Sequence, residues 1–261
     1  MKIDLSGKKA LIGGSSGGIG KAIAHQMAAS GASITLMARS EDKMQQLIDS
    51  FNTSDSQKHQ YLVVDFTDFE GYQKVISKYF EQNTVDILVN NTQGPAAGGT
   101  LEKHVGDYQK AFDLLFKTVV FTTHLALKQM RSQQWGRIIN VASISVKEPL
   151  NYLALSNTIR AAVVTWGKSL AIDVAKENIT VNNILTGYFD TDRIAQLNAK
   201  KAERMGISES EVRKTMENMV PMKRIGKPEE YGYLATFLAS EQASYITGTN
   251  IPIDGGLLKS L

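Results

Sequence analysis

Short apolar runs alternate with amphipathic stretches along this chain. The run Ala10-Leu-Ile-Gly-Gly14 is apolar without interruption, as a strand covered on both faces must be. Residues 18–30 then place Ile19, Ile23 and Met27 on one helical face, and Gly31 supplies a stop. Ser33-Ile-Thr-Leu-Met37 reads as a second strand, 41–51 as a helix, Tyr61-Leu-Val-Val64 as a strand and 69–82 as a helix. Val85-Asp-Ile-Leu-Val89, Arg137-Ile-Ile-Asn-Val141, 179–184 and Asn250-Ile-Pro-Ile253 complete seven strands. One long helix is expected over 107–131, another over 154–176, and a last one from Pro228, a favoured first-turn residue.

This βαβ alternation predicts an α/β, Rossmann-type doubly wound fold: a mostly parallel seven-stranded sheet with helices on both faces and right-handed crossovers. Such sheets bind ligands at the carboxyl ends of their strands. Gly14, Arg39, Asp65, Asn91, Ser143 and Gly187 all follow strand ends and are expected to line one crevice. The glycine-rich turn Gly14-Ser-Ser-Gly-Gly-Ile-Gly20 runs straight into a helix, whose free N–H groups and dipole suit a pyrophosphate. Between 190 and 222 the alternation breaks into two charged, Met-containing helices, the second opened by the capping box Ser208-x-x-Glu211. Leaving from the crevice rim, this segment reads as a helical substrate lid or, equally, as a surface-packed insertion.

At 261 residues and 43% hydrophobic composition, one dinucleotide-binding domain over 1–261 accounts for the chain. The net charge of +3 is spread with mixed sign, so no nucleic acid partner is expected. The absence of cysteine excludes disulfides and thiolate metal sites, and four scattered histidines lack ligand spacing, so no metal is expected. Neither a leader core nor a run of membrane-spanning length occurs, which makes cytoplasmic the expected location, with no membrane partner.

The chain resembles the short-chain dehydrogenase/reductase family, and within it the 3-oxoacyl-carrier-protein reductases. The resemblance rests on Gly14-x-x-x-Gly18-x-Gly20, Asp65, Leu88-Val-Asn-Asn91, Asn140-Val-Ala-Ser143, Val181-Asn-Asn-Ile184 leading to Gly187, and the tail motifs Arg224-Ile-Gly-Lys-Pro-Glu-Glu230, Thr247-Gly and Asp254-Gly-Gly256. It implies an enzyme that interconverts a small-molecule carbonyl and alcohol with a nicotinamide cofactor. By it, Gly14, Ser15, Ser16, Gly18 and Ile19 hold the pyrophosphate turn. Asp65 meets the adenine amine, Phe66 adds its backbone, Asn91 approaches the adenosine side, and Gly187 and Thr191 lie near the nicotinamide. Relatives that use NAD end the second strand in an acid, and here Ala38-Arg39 stands there. A guanidinium pairs with a 2′-phosphate, so NADP is expected ahead of NAD.

The family's catalytic set is Ser, Tyr, a Lys four residues beyond it, and an Asn on the preceding long helix. Here Ser143 matches the Ser, while alignment on Lys168-Ser-Leu-Ala171 puts Ser156, Arg160 and Leu115 at the other three positions. An aliphatic hydroxyl is a poor general acid and arginine does not release its proton near neutrality, although it can grip ribose hydroxyls and stabilise an oxyanion. Ser143, Ser156 and Arg160 are therefore the expected catalytic residues, Arg160 also binding cofactor, with a non-standard proton route. Tyr188 reads first as an aromatic that contacts the lid and second as a candidate donor, a held water is a further donor, and Tyr152 reads as a loop or helix-start residue. Two other readings remain open: a silent nucleotide-binding protein acting as sensor or partner subunit, and a non-redox enzyme in the same crevice. The resemblance also implies a homo-oligomer, a tetramer through the two long helices, where Phe112, Phe116, Val119, Val120, Val163, Val164 and Trp166 cluster.

Overall fold

A computed structural model describes residues 2–51 and 57–260. Seven strands form one parallel sheet: β1 (Lys9–Gly13), β2 (Ser33–Ala38), β3 (Gln60–Val63), β4 (Ile87–Asn90), β5 (Gly136–Val141), β6 (Ile179–Thr186) and β7 (Asn250–Ile253). Their spatial order is β3-β2-β1-β4-β5-β6-β7, so the direction of winding reverses between β1 and β4. That reversal opens a crevice above the carboxyl ends of the central strands. The connecting helices are α1 (Gly18–Ala29), α2 (Glu41–Asp49), α3 (Phe69–Gln82), α4 (Val105–Phe112), α5 (Thr118–Ser132), α6 (Ala154–Val174), α7 (Asp192–Met205), α8 (Glu209–Met219) and α9 (Pro228–Leu238).

Alternation along the strands sends neighbours to opposite faces. Ile12, Ile34 and Leu36 pack with Ile23, Met27 and Leu238 on one side of the sheet, whereas Leu11, Leu88, Ile138 and Val181 pack with Ile76 and Met130 on the other. The lid segment forms its own small cluster of Ala202, Val212 and Met216, with Tyr188 and Ile194 against it. The expected capping box is present: the Ser208 hydroxyl accepts from the Glu211 N–H, and the Glu211 carboxylate accepts from the Ser208 N–H.

Four asparagines cross the sheet in register: Asn90 faces Asn140, Asn140 faces Asn183, and Asn183 faces Asn250. Each carboxamide donates to the next, at 2.9, 2.9 and 2.8 Å. A buried amide without a partner costs about 1–3 kcal/mol, so this ladder ties the crevice ends of β4 to β7 together. Gly167 lets α6 come down on it: a Cβ there would lie 2.9 Å from the Asn183 Oδ1 and 3.0 Å from the Asn140 Nδ2.

The expected single helix over 107–131 is α4 and α5 joined by a π turn at 113–117. An i→i+5 turn leaves no periodicity signal short enough to read, and π turns concentrate at functional sites. Strand and helix ends otherwise differ from expectation by one or two residues at most, as at β3 and β4. Among the described residues no helix is long and apolar enough to cross a membrane.

Candidate active site

The turn after β1 is held by contacts that leave no room for side chains. A Cβ on Gly13 would stand 2.2 Å from the Asn91 carbonyl oxygen, and one on Gly20 2.2 Å from that of Gly14. Gly14 and Gly18 adopt φ of +56° and +51°, which glycine takes without strain. The Asn91 carboxamide donates to the Gly13 carbonyl at 3.0 Å, binding the end of β4 to the turn. Ser15 is fully buried: its hydroxyl accepts from the Met37 N–H at 2.9 Å and its own N–H donates to the Met37 carbonyl at 3.3 Å, so this residue fastens the turn to β2. Ser16 and Ile19 are half-buried, and Ile19 packs against the α1 side of the core.

At the start of α1, Gly17 provides no side-chain cap and no acid lies in the first turn, so the first amides have no partner from a cap. A Cβ on Gly17 would meet nothing within 4 Å. Unpaired N–H groups behind an open glycine rim fit a pyrophosphate. At the β2 end Arg39 is exposed, with Asp65 close enough for its charge to be felt. The Asp65 carboxyl is held below the usual range mainly by hydrogen bonds from the Thr67 hydroxyl and N–H. Phe66 is buried against Tyr72 and lines a notch with Gly13, Met37, Asn91 and Thr92. The residues present therefore fit a phosphorylated dinucleotide.

Gly187 presses on the end of β7, where a Cβ would stand 2.6 Å from the Asp254 Cα. Thr191 caps α7, and its methyl group lies over Gly18, 3.1 Å from where a Cβ would be. Two residues further on, Arg193 reaches back to donate to the Pro95 carbonyl at 2.8 Å, a link between lid and β4 loop that the sequence reading missed. Nothing local marks it, because the contact spans 98 residues.

A cavity of about 530 Å³ adjoins these strand ends. Its walls include Ser143, Gly187, Tyr152, Tyr188 and, from α7, Asn198 and Lys201. The Ser143 oxygen accepts from the Ser145 N–H at 3.1 Å, which leaves its own proton free to donate. Tyr152 and Tyr188 lie close together in the cavity wall, and burial together with the neighbouring phenol pushes the Tyr152 hydroxyl well above its ordinary value. Tyr152 is thus a cavity residue, held by the Gly98 N–H donating to its carbonyl at 2.7 Å, as well as standing just before the helix.

Ser156 is half-buried, makes no hydrogen bond among the described residues and does not line the cavity. Arg160, one turn further along α6, donates to the carbonyl of Val141 at the end of β5. Burial lowers its guanidinium from the ordinary value, the Arg193 charge adds to that, and no carboxylate pairs with it among the described residues. Leu115 lies in the π turn, buried in the same cluster as Leu155 and Ile159 of α6. Where the family carries an asparagine, this site therefore has a closed apolar contact. Among the described residues no group of three potential ligands could hold a metal ion.

Sheet order, glycine turn and adjoining cavity define a doubly wound nucleotide-binding enzyme. The family profile described as Enoyl-(Acyl carrier protein) reductase matches residues 14–258. The chain is 32% identical to the NADPH-dependent reductase BacG of Bacillus subtilis over 261 residues, covering 98% of this chain and all of that protein. It is 29% identical to the 3-oxoacyl-[acyl-carrier-protein] reductase FabG of Aquifex aeolicus, over 98% of this chain and all of that one. The L-sorbose reductase of Gluconobacter frateurii, solved with NADPH and L-sorbose, superposes with a TM-score of 0.92 at 32% identity over the full length of both chains. The chain belongs to the short-chain dehydrogenase/reductase family.

Proposed function

We propose that this protein is an NADPH-dependent reductase of a small-molecule carbonyl, working by a proton route that uses neither the family's tyrosine nor its lysine. The observation that carries this is that Ser143, just past the end of β5, lines the cavity together with Gly187, and its oxygen accepts from the Ser145 N–H, which keeps its own proton available for a ligand. Bound NADPH supplies the hydride. The Ser143 hydroxyl donates to the carbonyl oxygen and orients it. The Tyr188 phenol, which lines the same cavity as Ser143 with Tyr152 beside it, is better placed than Ser156 to deliver the proton. Arg160 fixes the β5 end below Ser143 through the Val141 carbonyl, and in this reading its remaining donors serve the cofactor ribose. The first-turn amides of α1 take the pyrophosphate, Arg39 the 2′-phosphate and Asp65 the adenine amine, while residues 190–222 close over the substrate. The homotetramer is retained in this reading because Phe112 stacks on Phe116 and Trp166 meets Phe116 edge to face, an aromatic cluster on α4, the π turn and α6.

The test is NADPH oxidation over a panel of ketones and aldehydes by wild type, Tyr188→Phe and Ser156→Ala. Loss of a general acid costs about 10²–10⁴ in rate, so Tyr188→Phe should lose at least 100-fold in kcat while Ser156→Ala stays within about threefold. The reverse pattern overturns the phenol route. NADPH binding with no turnover of any carbonyl overturns the reductase reading in favour of a silent nucleotide-binding protein, a reading favoured by the missing Tyr, Lys and Asn.

A further inference from the structure

The end of the cavity remote from Ser143 is lined by α7. Asn198 is only 7% exposed, faces this cavity, and forms no hydrogen bond among the described residues. Its amide atoms are not sealed in the protein but open to the cavity, where a ligand can pair with them. Around it on the same helix, Lys200, Lys201 and Arg204 also line the cavity, and none of them forms an ion pair among the described residues. Lys200 and Arg204 stand four residues apart, a spacing at which like charges repel. The nearby acids are already engaged: Asp190 and Glu217 both pair with Arg213, at 2.9 and 3.0 Å, and Glu102, the one carboxylate of the cavity wall, accepts from the Gly99 N–H. The same cavity also has apolar walls, with Leu150, Leu153, Leu197 and Met216.

From this arrangement we propose that α7 carries a carboxylate-binding subsite, Asn198 donating its N–H₂ with Lys201 and Arg204 supplying charge, and that the substrate is an oxo acid with an apolar body. This rests on the reductase reading, which supplies the carbonyl at Ser143. Asn198 is what separates it from an ordinary solvated charged helix, since its side chain is mostly buried yet presents its amide to the cavity rather than to a protein partner.

The experiment compares 2-oxohexanoate and 5-oxohexanoate with their methyl esters as substrates of wild type, Asn198→Leu and the double variant Lys201→Gln/Arg204→Gln. In parallel, calorimetry follows hexanoate binding to protein saturated with NADP⁺. In wild type at least one acid should exceed its ester tenfold or more in kcat/KM, the difference lying in KM. Both variants should cut that ratio to about twofold or less and weaken hexanoate binding at least tenfold. Esters used as well as the acids, or a preference that survives in both variants, would overturn the subsite. If no carbonyl oxidises NADPH, the reductase reading has failed, and the calorimetry still decides the subsite: hexanoate bound by wild type and lost in the variants upholds it, and no binding sinks it.

Discussion

The two sides of the crevice handle their polar groups in opposite ways. On the sheet side nearly every one is spent on the protein itself: Ser15 on Met37, Asn91 on Gly13, Asp65 on Thr67, and the four asparagines on one another. On the side formed by α6 and the lid, Ser156 and Asn198 have no hydrogen-bond partner among the described residues, and Arg160 hydrogen-bonds there to the Val141 carbonyl alone. A site whose polar groups are mutually satisfied keeps its shape without ligand, whereas one with unsatisfied groups is completed by what it binds. The first half therefore serves any phosphorylated dinucleotide, and the second carries whatever is particular to this enzyme.

The largest effect is expected from breaking the self-satisfied half. Asn140→Leu removes the middle rung and strands the Asn90 and Asn183 amides that it served, in residues 8% and 0% exposed. At about 1–3 kcal/mol for each orphaned group, the loss should be about 3 kcal/mol, or roughly 5–10 °C in Tm for a chain of this size. Differential scanning calorimetry measures it. A shift below 2 °C would mean that the ladder is not what holds the crevice ends together.

A smaller effect, confined to function, is expected at the edge where the two halves meet solvent. Arg39→Ala removes an exposed cation from the β2 end without touching the turn. A charge-assisted hydrogen bond contributes about 1.5–3 kcal/mol, so the preference for NADPH over NADH should fall roughly tenfold or more. Titrating both cofactors checks this. Equal affinities in wild type would remove Arg39 from the site.

The same division explains what was legible in the sequence. The sheet, the glycine turn and its strand-end companions were readable because each depends on local signals: apolar runs, glycine spacing, and position just past a strand. The turn at 113–117 was not, since a π turn inserts one residue without a composition of its own. The phenol pair was only half visible. Tyr188 was a candidate donor, but its closeness to Tyr152 arises because the Leu153–Gly98 bridge swings the start of α6 toward the residues after β6. Arg193 and Asn198 were missed for the same reason, as a helix rich in charge looks alike whether it faces water or a cavity. Alignment identified Ser156 by position in the family, and position does not report which way a shorter side chain leaves the wall.

The smallest predicted effect probes the joint between the halves. Before α9, Arg224 donates twice to Glu230, at 2.7 and 2.6 Å, and the Lys227 N–H donates to the same carboxylate. Within that stretch the Gly226 N–H donates to the Tyr188 carbonyl and the Asp190 N–H to the Gly226 carbonyl, so the root of the lid hangs from this turn. The Arg224 hydrogen bonds, then that from Lys227, push the Glu230 carboxyl down to about 2 from its ordinary 4.5. A depressed carboxyl contributes stability that is complete above the unfolded value and is lost as pH falls through the folded one. The Glu230 contribution should therefore fade between about pH 4.5 and pH 2. Both partners are more than one-third exposed, which screens the pair, so Glu230→Gln should lower Tm at neutral pH by no more than about 2 °C. Its Tm should approach that of wild type near pH 2. A wild-type and variant difference that stays constant down to pH 2 would show that the joint depends on packing alone.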